Sequence, residues 1–187
     1  MIKKIKHYDI NTVDSITKFV VEEEFMRSRT RKKIDEYFKR IKLNIYDQLL
    51  EKYLKYKNKN LFVFVSDKFE NYGHSATKYF YRVCKIVSGV PIACKKYGLK
   101  HNNNAIERYN QNINDRYKTM RKMNSFSNAK ATFKMRQIIH NFVNPHMELN
   151  GKTPAEAAGI KFDLGRNKLL NLIELTAKLK NFGDDVN

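Results

Sequence analysis

The chain has 187 residues, of which 42% are apolar, enough for one domain with its own hydrophobic core and too few for a multidomain assembly. Its 37 Lys and Arg against 19 Asp and Glu give a net charge of +18. The apolar fraction excludes a disordered polar chain, and the charge favours a polyanionic partner, nucleic acid before anionic membrane.

Targeting and metal-binding patterns are missing from the sequence. Cys84 and Cys94 have neither CxxC spacing nor a histidine pair at zinc-finger spacing, which argues against a structural metal site. No apolar run matches a signal peptide or a membrane span, so the sequence predicts a cytoplasmic protein with no membrane partner.

The first predicted elements are a β-hairpin and a long helix. The arms fall at about residues 5–10 and 16–26, the second rich in β-branched and aromatic residues, with turn-like residues at 11–15. Ser28 or Thr30 can cap the following helix, where apolar residues recur at helical spacing from Ile34 to Leu54. One face of this helix should therefore enter the core.

A buried strand comes next. Residues 61–65 are continuously apolar, which is typical of a central strand covered on both faces, and the run ends at Ser66 and Asp67. A short helix from Asn71 and a short strand near residues 86–87 follow, ending at Gly89. This order predicts an α/β domain, in which ligands tend to gather at the carboxyl ends of strands.

The rest of the chain is predicted to be helical. Residues 104–123 carry an apolar stripe beside a polar one, and a helix over about 128–144 must stop before Pro145. Residues 153–156 form a capping-box pattern with Pro at the first helical position, and Gly159 ends that helix. A last amphipathic helix spans about 165–180, so we expect a core over residues 1–160 and a helical tail over 161–187.

Two acidic residues are the candidates for chemistry, Asp67 at the end of the buried strand and Glu107 on the polar stripe of a helix. A strand-end carboxylate facing a helix carboxylate can hold a divalent metal for phosphoryl transfer. The same residues also have structural interpretations, because Asp67 can simply begin a turn and Asn104 with Glu107 fits an Asn-x-x-Glu helix cap.

The segment around Glu107 is strongly basic. Residues 95–136 contain eleven Lys or Arg and two acids, with Tyr97, Tyr109 and Tyr117 interleaved. Such a segment suits a nucleic-acid backbone, although it can also be a solvated helix face.

Three stretches, in order, resemble one known family. FVFVSD at 62–67, followed by Asn71 and Tyr72, is similar to the family's strand that bears the second Asp. NNAIERYN at 103–110, running on to KTMR at 118–121, is similar to its glutamate helix, and NFVNPH at 141–146 with LNGKTPAEAAG at 149–159 is similar to its closing signature. From about residue 19 to 160 the chain thus resembles the integrase-like core of DDE transposases of prokaryotic insertion sequences, in the retroviral-integrase, RNase H-like superfamily.

The resemblance implies an RNase H-like fold, with a mixed central sheet flanked by helices, and an activity of DNA cleavage and strand transfer with two divalent metals. Asp67 and Glu107 would be the second and third members of the catalytic, metal-binding triad, with Mg²⁺ or Mn²⁺ as cofactor. The DNA-facing side would carry Asn104, Arg108, Lys118 and Arg121, whose cations contact phosphates rather than bases. The implied structural parts of the closing signature are Asn141, His146, Thr153 and Pro154.

One departure from the family pattern concerns the first catalytic Asp, which lies on a strand before the hairpin. Asp9 and Asp14 are the early aspartates here, and both align with the hairpin instead. We therefore expect a core truncated at its N-terminus, without its first strand, and inactive or nearly so alone, since Mg²⁺ on one or two carboxylates binds weakly.

Alternatives from other classes stay open. The chain can be a non-catalytic DNA-binding protein that modulates a full-length transposase, as a homo-oligomer or a mixed oligomer with it. A weaker alternative is a metal nuclease that uses Asp9 or Asp14 as a substitute ligand.

Overall fold

The structure is a computed structural model that describes residues 6–56, 62–89, 95, 104–119 and 125–184, with backbone alone for 112–119 and 179–184. In chain order the elements are β1 Tyr8–Val13, β2 Val20–Met26, α1 Arg31–Lys55, β3 Phe62–Ser66, α2 Glu70–Phe80, β4 Cys84–Ser88, α3 Asn104–Thr119, α4 Phe126–Ile138, a π-helical turn Ile139–Val143, a 3₁₀ turn Met147–Leu149, α5 Pro154–Ala157 and α6 Lys168–Asp184. The fold is mixed α/β. In the described ranges no helix is both long and apolar enough to cross a membrane.

The predicted hairpin is confirmed, but its turn lies later than expected. Strands β1 and β2 pair antiparallel, with Tyr8 opposite Met26 and a register shift between Thr12 and Val13. The turn forms at Asp14, whose carboxylate accepts hydrogen bonds from the Ile16 N–H at 3.1 Å and the Thr17 hydroxyl at 2.7 Å. Both oxygens of Asp14 thus stabilise the turn, which leaves residues 11–13 in the strand.

The core lies between α1, α2 and one face of the strands. The predicted helical face of α1 is confirmed, because Ile34, Tyr37 and Ile41 are buried in one cluster with Phe80 of α2. The prediction that the strand at 61–65 is covered on both faces is wrong, since every residue of β3 is half-buried. The core cluster reaches Phe62 and Phe64, which share one face of this strand.

The strands form two small sheets, whereas the family resemblance implied one mixed sheet. In the described part of the chain, β1 pairs with β2, and β3 pairs in parallel with β4. Side chains join the two sheets instead of backbone hydrogen bonds. The Arg29 guanidinium lies over the Tyr8 ring of β1 at 4.6 Å and over the Phe69 ring beyond β3 at 4.2 Å.

The second face of the hairpin is covered by α4. Phe25 of β2 stacks on Phe133 of α4 at 4.6 Å between ring centroids, and on Phe126 at 5.4 Å. Residues of β2 alternate between the two faces of the hairpin, so Phe25 and Glu23 point to α4 while Met26 points to α1. The hairpin is therefore enclosed from both sides.

The closing segment attaches to β2 through one buried amide. The Asn141 side chain accepts a hydrogen bond from the Val20 N–H at 2.9 Å and donates one to the Val20 carbonyl at 2.9 Å. The predicted capping box is also confirmed, because Thr153 accepts from the Glu156 N–H and Glu156 accepts from the Thr153 N–H. The closing signature thus has a structural role at both of its ends.

Candidate functional site

Asp67 lies directly after β3 and is exposed to solvent. Its Oδ1 accepts a hydrogen bond from the Phe69 N–H at 3.0 Å, which confirms that it begins a turn. Nearby, a hydrogen bond from Arg29 to Tyr72 raises the pKa of that guanidinium, and the negative charge of Asp67 adds to this effect. Asp67 is therefore an accessible carboxylate in a cationic and aromatic setting.

Glu107 is exposed in the first turn of α3, which begins at Asn104, itself exposed. A carboxylate in this position is favoured by the positive end of the helix dipole. Within the described ranges, no group of three His, Cys, Asp or Glu side chains is arranged to hold a metal ion. Asp67 and Glu107 by themselves therefore do not fit the complete metal centre that the resemblance implies.

Among the predicted DNA-binding cations, the structure describes the side chain of Arg108 but not those of Lys118 and Arg121. Arg108 is exposed and forms an ion pair with Glu148, whose other carboxylate oxygen lies 3.0 Å from Lys18 Nζ. The side chain of Lys118 and the whole of Arg121 lie outside the described residues. A phosphate at Arg108 would therefore compete with an existing carboxylate partner.

Tyr109, one of the tyrosines interleaved in the basic segment, is buried and so is not available to stack on a base. It is 3% exposed, and its hydroxyl donates a hydrogen bond to Glu23 Oε2 at 2.8 Å. The helical stripe that contains Ile106 and Tyr109 faces the hairpin instead. Tyr97 and the Tyr117 side chain lie outside the described residues.

A buried charged cluster on the α3 and α4 side of the hairpin was not foreseen from the sequence. Arg136 Nη2 of α4 donates to Glu23 Oε1 of β2 at 2.7 Å and lies 3.7 Å from Asp9 Oδ2 of β1. The guanidinium carbon sits 3.9 Å from the centre of the Tyr109 ring, as in a cation–π contact. We call Asp9, Glu23, Tyr109 and Arg136 the Glu23 cluster.

Burial dominates the electrostatics of the Glu23 cluster. Burial raises the pKa of Glu23 to about 7, against the opposing charge of Arg136, and the charge of Asp9 adds to the rise. Burial also raises the pKa of Asp9 to about 6, again against Arg136. Asp9 Oδ1 and two nitrogens of Arg136, Nε and Nη1, are buried and have no hydrogen-bond partner among the described residues.

These positions weigh against Asp9 and Asp14 as substitute metal ligands. Asp9 lies beside a guanidinium, which disfavours a divalent cation, and both oxygens of Asp14 serve the turn. The metal-nuclease alternative therefore gains no support from either residue.

A second cluster runs along the outer edge of β2. Glu22 binds Arg40 of α1 and Lys134 of α4, each at 3.2 Å, and Glu24 binds Arg40 at 3.1 Å and Lys130 at 2.8 Å. These residues line a cleft of about 410 Å³ between α1 and α4. The sequence does contain a pattern that predicts both clusters. Three consecutive glutamates in one strand of a strongly basic chain are expected to pair with Lys or Arg side chains.

Comparisons of the chain with protein-family models, with curated proteins and with solved structures found no match.

Proposed function

We propose that the chain is the integrase-like core of a DDE transposase, in which Asp67 and Glu107 supply two of the three metal-binding carboxylates and α3 lies along DNA. The main observation in support of this proposal is the position of these two residues in the fold. Asp67 follows a strand that is parallel to its neighbour β4, and Glu107 stands exposed in the first turn of α3. In chain order a hairpin precedes β3 and the helix that carries Glu107 follows it, and this order supports the proposal.

The basic charge supports a DNA substrate. Residues 95–136 carry a net charge of +9, half of the excess of the whole chain. Cations that neutralise phosphates release condensed counterions, so such a segment binds DNA with strong salt dependence. We therefore expect DNA as the partner, held mainly through its phosphates.

Catalysis by this chain alone is expected to be absent or nearly so. Asp67 and Glu107 would hold divalent metal ions, whose charge would help to stabilise the oxygens of a strand-transfer reaction. Two carboxylates hold Mg²⁺ weakly, so a third one has to come from another segment of the protein or from a partner chain in a mixed oligomer.

A second candidate function is DNA binding without catalysis. It is favoured by the Asp67 contact with the Phe69 N–H, which gives that carboxylate a structural purpose that needs no metal. Such a protein would compete with a full-length transposase for DNA ends or join it in mixed oligomers.

The experiment that tests the proposal measures the affinity of the chain for a labelled DNA duplex at several salt concentrations. The double variant Lys118→Ala, Arg121→Ala should reduce the slope of log Kd against log salt by about 0.9 for each phosphate that is no longer neutralised, thus by about 2. Arg108→Ala should reduce it less, because Arg108 already has Glu148 as a partner. The matched control is Lys39→Ala with Lys55→Ala, which removes two exposed lysines of α1.

The outcomes separate the candidates. Equal losses of affinity in the control and in the Lys118→Ala, Arg121→Ala variant would refute a DNA site at this segment. If DNA binding is specific to α3, strand transfer in a mixed oligomer with an active transposase decides the rest. Its loss on Asp67→Asn or Glu107→Gln supports the catalytic proposal, and full retention supports the non-catalytic one.

A further inference from the structure

Tyr109 and Asn110, among the described side chains of α3, the helix that carries Glu107 and Arg108, make hydrogen bonds to the hairpin. Of these described side chains Tyr109 is the one that is buried. The neighbouring Asn110 accepts a hydrogen bond from Asn11 Nδ2 of β1 at 2.8 Å. This differs from α1 and α2, which are held by a continuous apolar cluster.

Tyr109 is held at its hydroxyl and on its ring. Glu23 accepts the hydrogen bond of the hydroxyl, and Arg136 covers the ring while binding the same carboxylate. The His140 ring approaches the Tyr109 ring edge-on, at 4.8 Å between centroids. Glu23 is fully buried and accepts hydrogen bonds from both Tyr109 and Arg136. The short range of a hydrogen bond therefore restricts the positions that the Glu23 carboxylate can take.

The charge of this cluster depends on one proton. Titratable groups face it from every packed element: Asp9 from β1, Glu23 from β2, Tyr109 from α3, Lys134 and Arg136 from α4, and His140 from the π-helical turn. Lys134 is bonded to Glu22 on the other side of β2, and His140 binds the Lys18 carbonyl. Two ionised carboxylates on the single guanidinium of Arg136 leave one excess negative charge, which one bound proton removes.

We propose that Glu23 and Arg136 are positioning residues for α3, which fix Tyr109 and so set where Glu107 and Arg108 stand, most tightly when the cluster holds one proton. The anchoring of α3 stands on the contacts alone, and its consequence for Glu107 rests on the proposed function.

Hydrogen exchange of the full chain, without DNA or metal, tests the anchoring. Tyr109→Phe keeps the ring and removes one hydrogen bond to a carboxylate, so exchange of the α3 amides should accelerate about tenfold or more while the α1 amides keep their rates. The matched control is Tyr46→Phe, on the packed side of α1, which should leave α3 unchanged. Unchanged α3 protection in Tyr109→Phe, or equal acceleration of α1 and α3, would overturn the proposal.

The dependence of α3 exchange on pH distinguishes the proposed role of the proton from a purely packing role of Tyr109. Between about pH 6 and pH 8 the exchange of α3 relative to α1 should rise in the wild type, because the cluster loses its proton as the pH passes the raised pKa values of Asp9 and Glu23. In Glu23→Gln, which removes the excess negative charge at all pH values, this ratio should stay flat. A wild-type ratio that does not change with pH would refute the role of the proton.

The two proposals can fail separately. If α3 exchange responds as expected but the Lys118→Ala, Arg121→Ala variant binds DNA normally, the proposed function fails and the anchoring of α3 stands. If DNA binding depends on α3 but Tyr109→Phe leaves exchange unchanged, the positioning proposal alone fails.

Discussion

Replacing Asn141 with Ala should destabilise the protein more than any other single polar substitution in the closing segment. Asn141 is 2% exposed and satisfies both backbone groups of Val20, which is itself fully buried. The Val20 N–H would lose its acceptor, which costs about 1–3 kcal/mol for a buried donor. The Val20 carbonyl keeps the Gln137 side chain at 3.0 Å, so the absence of the second bond costs about 1 kcal/mol.

Together these two effects predict a decrease of about 2–4 kcal/mol in the free energy of unfolding. For a chain of this size that corresponds to a lower Tm by about 4–16 °C. The assay is urea unfolding followed by circular dichroism, with Asn144→Ala as the control because Asn144 is exposed in the same segment. A decrease below about 0.5 kcal/mol with an unchanged m value would refute the account of this contact.

Three further predictions concern other contacts. Thr153→Ala should lower the free energy of unfolding by about 1 kcal/mol, because it removes the N-cap acceptor of α5, and a change within about 0.2 kcal/mol of zero would contradict the capping box. Phe133→Ala should cost about 3–5 kcal/mol by chemical denaturation, since the ring is buried and stacked on Phe25, whereas Phe133→Leu should cost clearly less. Burial raises the pKa of the Cys84 thiol to about 12, so in a Cys94→Ser background a thiol reagent should label Cys84 at pH 8 only after denaturant is added. Rapid labelling of the native chain would show that Cys84 is accessible.

The sequence predicted those features of the fold that depend on residues close together in the chain. The helical spacing of Ile34, Tyr37 and Ile41 identified the buried face of α1, and the pattern at Thr153 and Glu156 identified a cap formed within four residues. The turn was misplaced because Asn11 has turn propensity but pairs with Glu23 in the strand. Here the pairing of the two strands outweighs the preference of Asn for turns.

Contacts between distant segments could not be read from the sequence. Arg136 and Glu23 are 113 positions apart, and no periodic pattern links a glutamate in a strand to an arginine in a later helix. Tyr109 belongs to the apolar stripe predicted for its helix, so its burial agrees with the sequence pattern, whereas its hydrogen-bond partner in β2 could not be predicted. The exposure of Asp67 and Glu107 fits the sequence hypothesis, and their roles stay predictions.

The long separation between Val20 and Asn141 has a consequence for synthesis on the ribosome. The outer edge of β2 acquires its covering from α4 and Asn141 after about 120 further residues, which take about 6–24 s at typical rates of translation. During that interval the hairpin can already form while its edge has no neighbour. An uncovered strand edge is a template for pairing with another nascent chain, and charged side chains are a common protection against it. Glu22 and Glu24, before they meet Lys134 and Lys130, would keep that edge soluble on the growing chain.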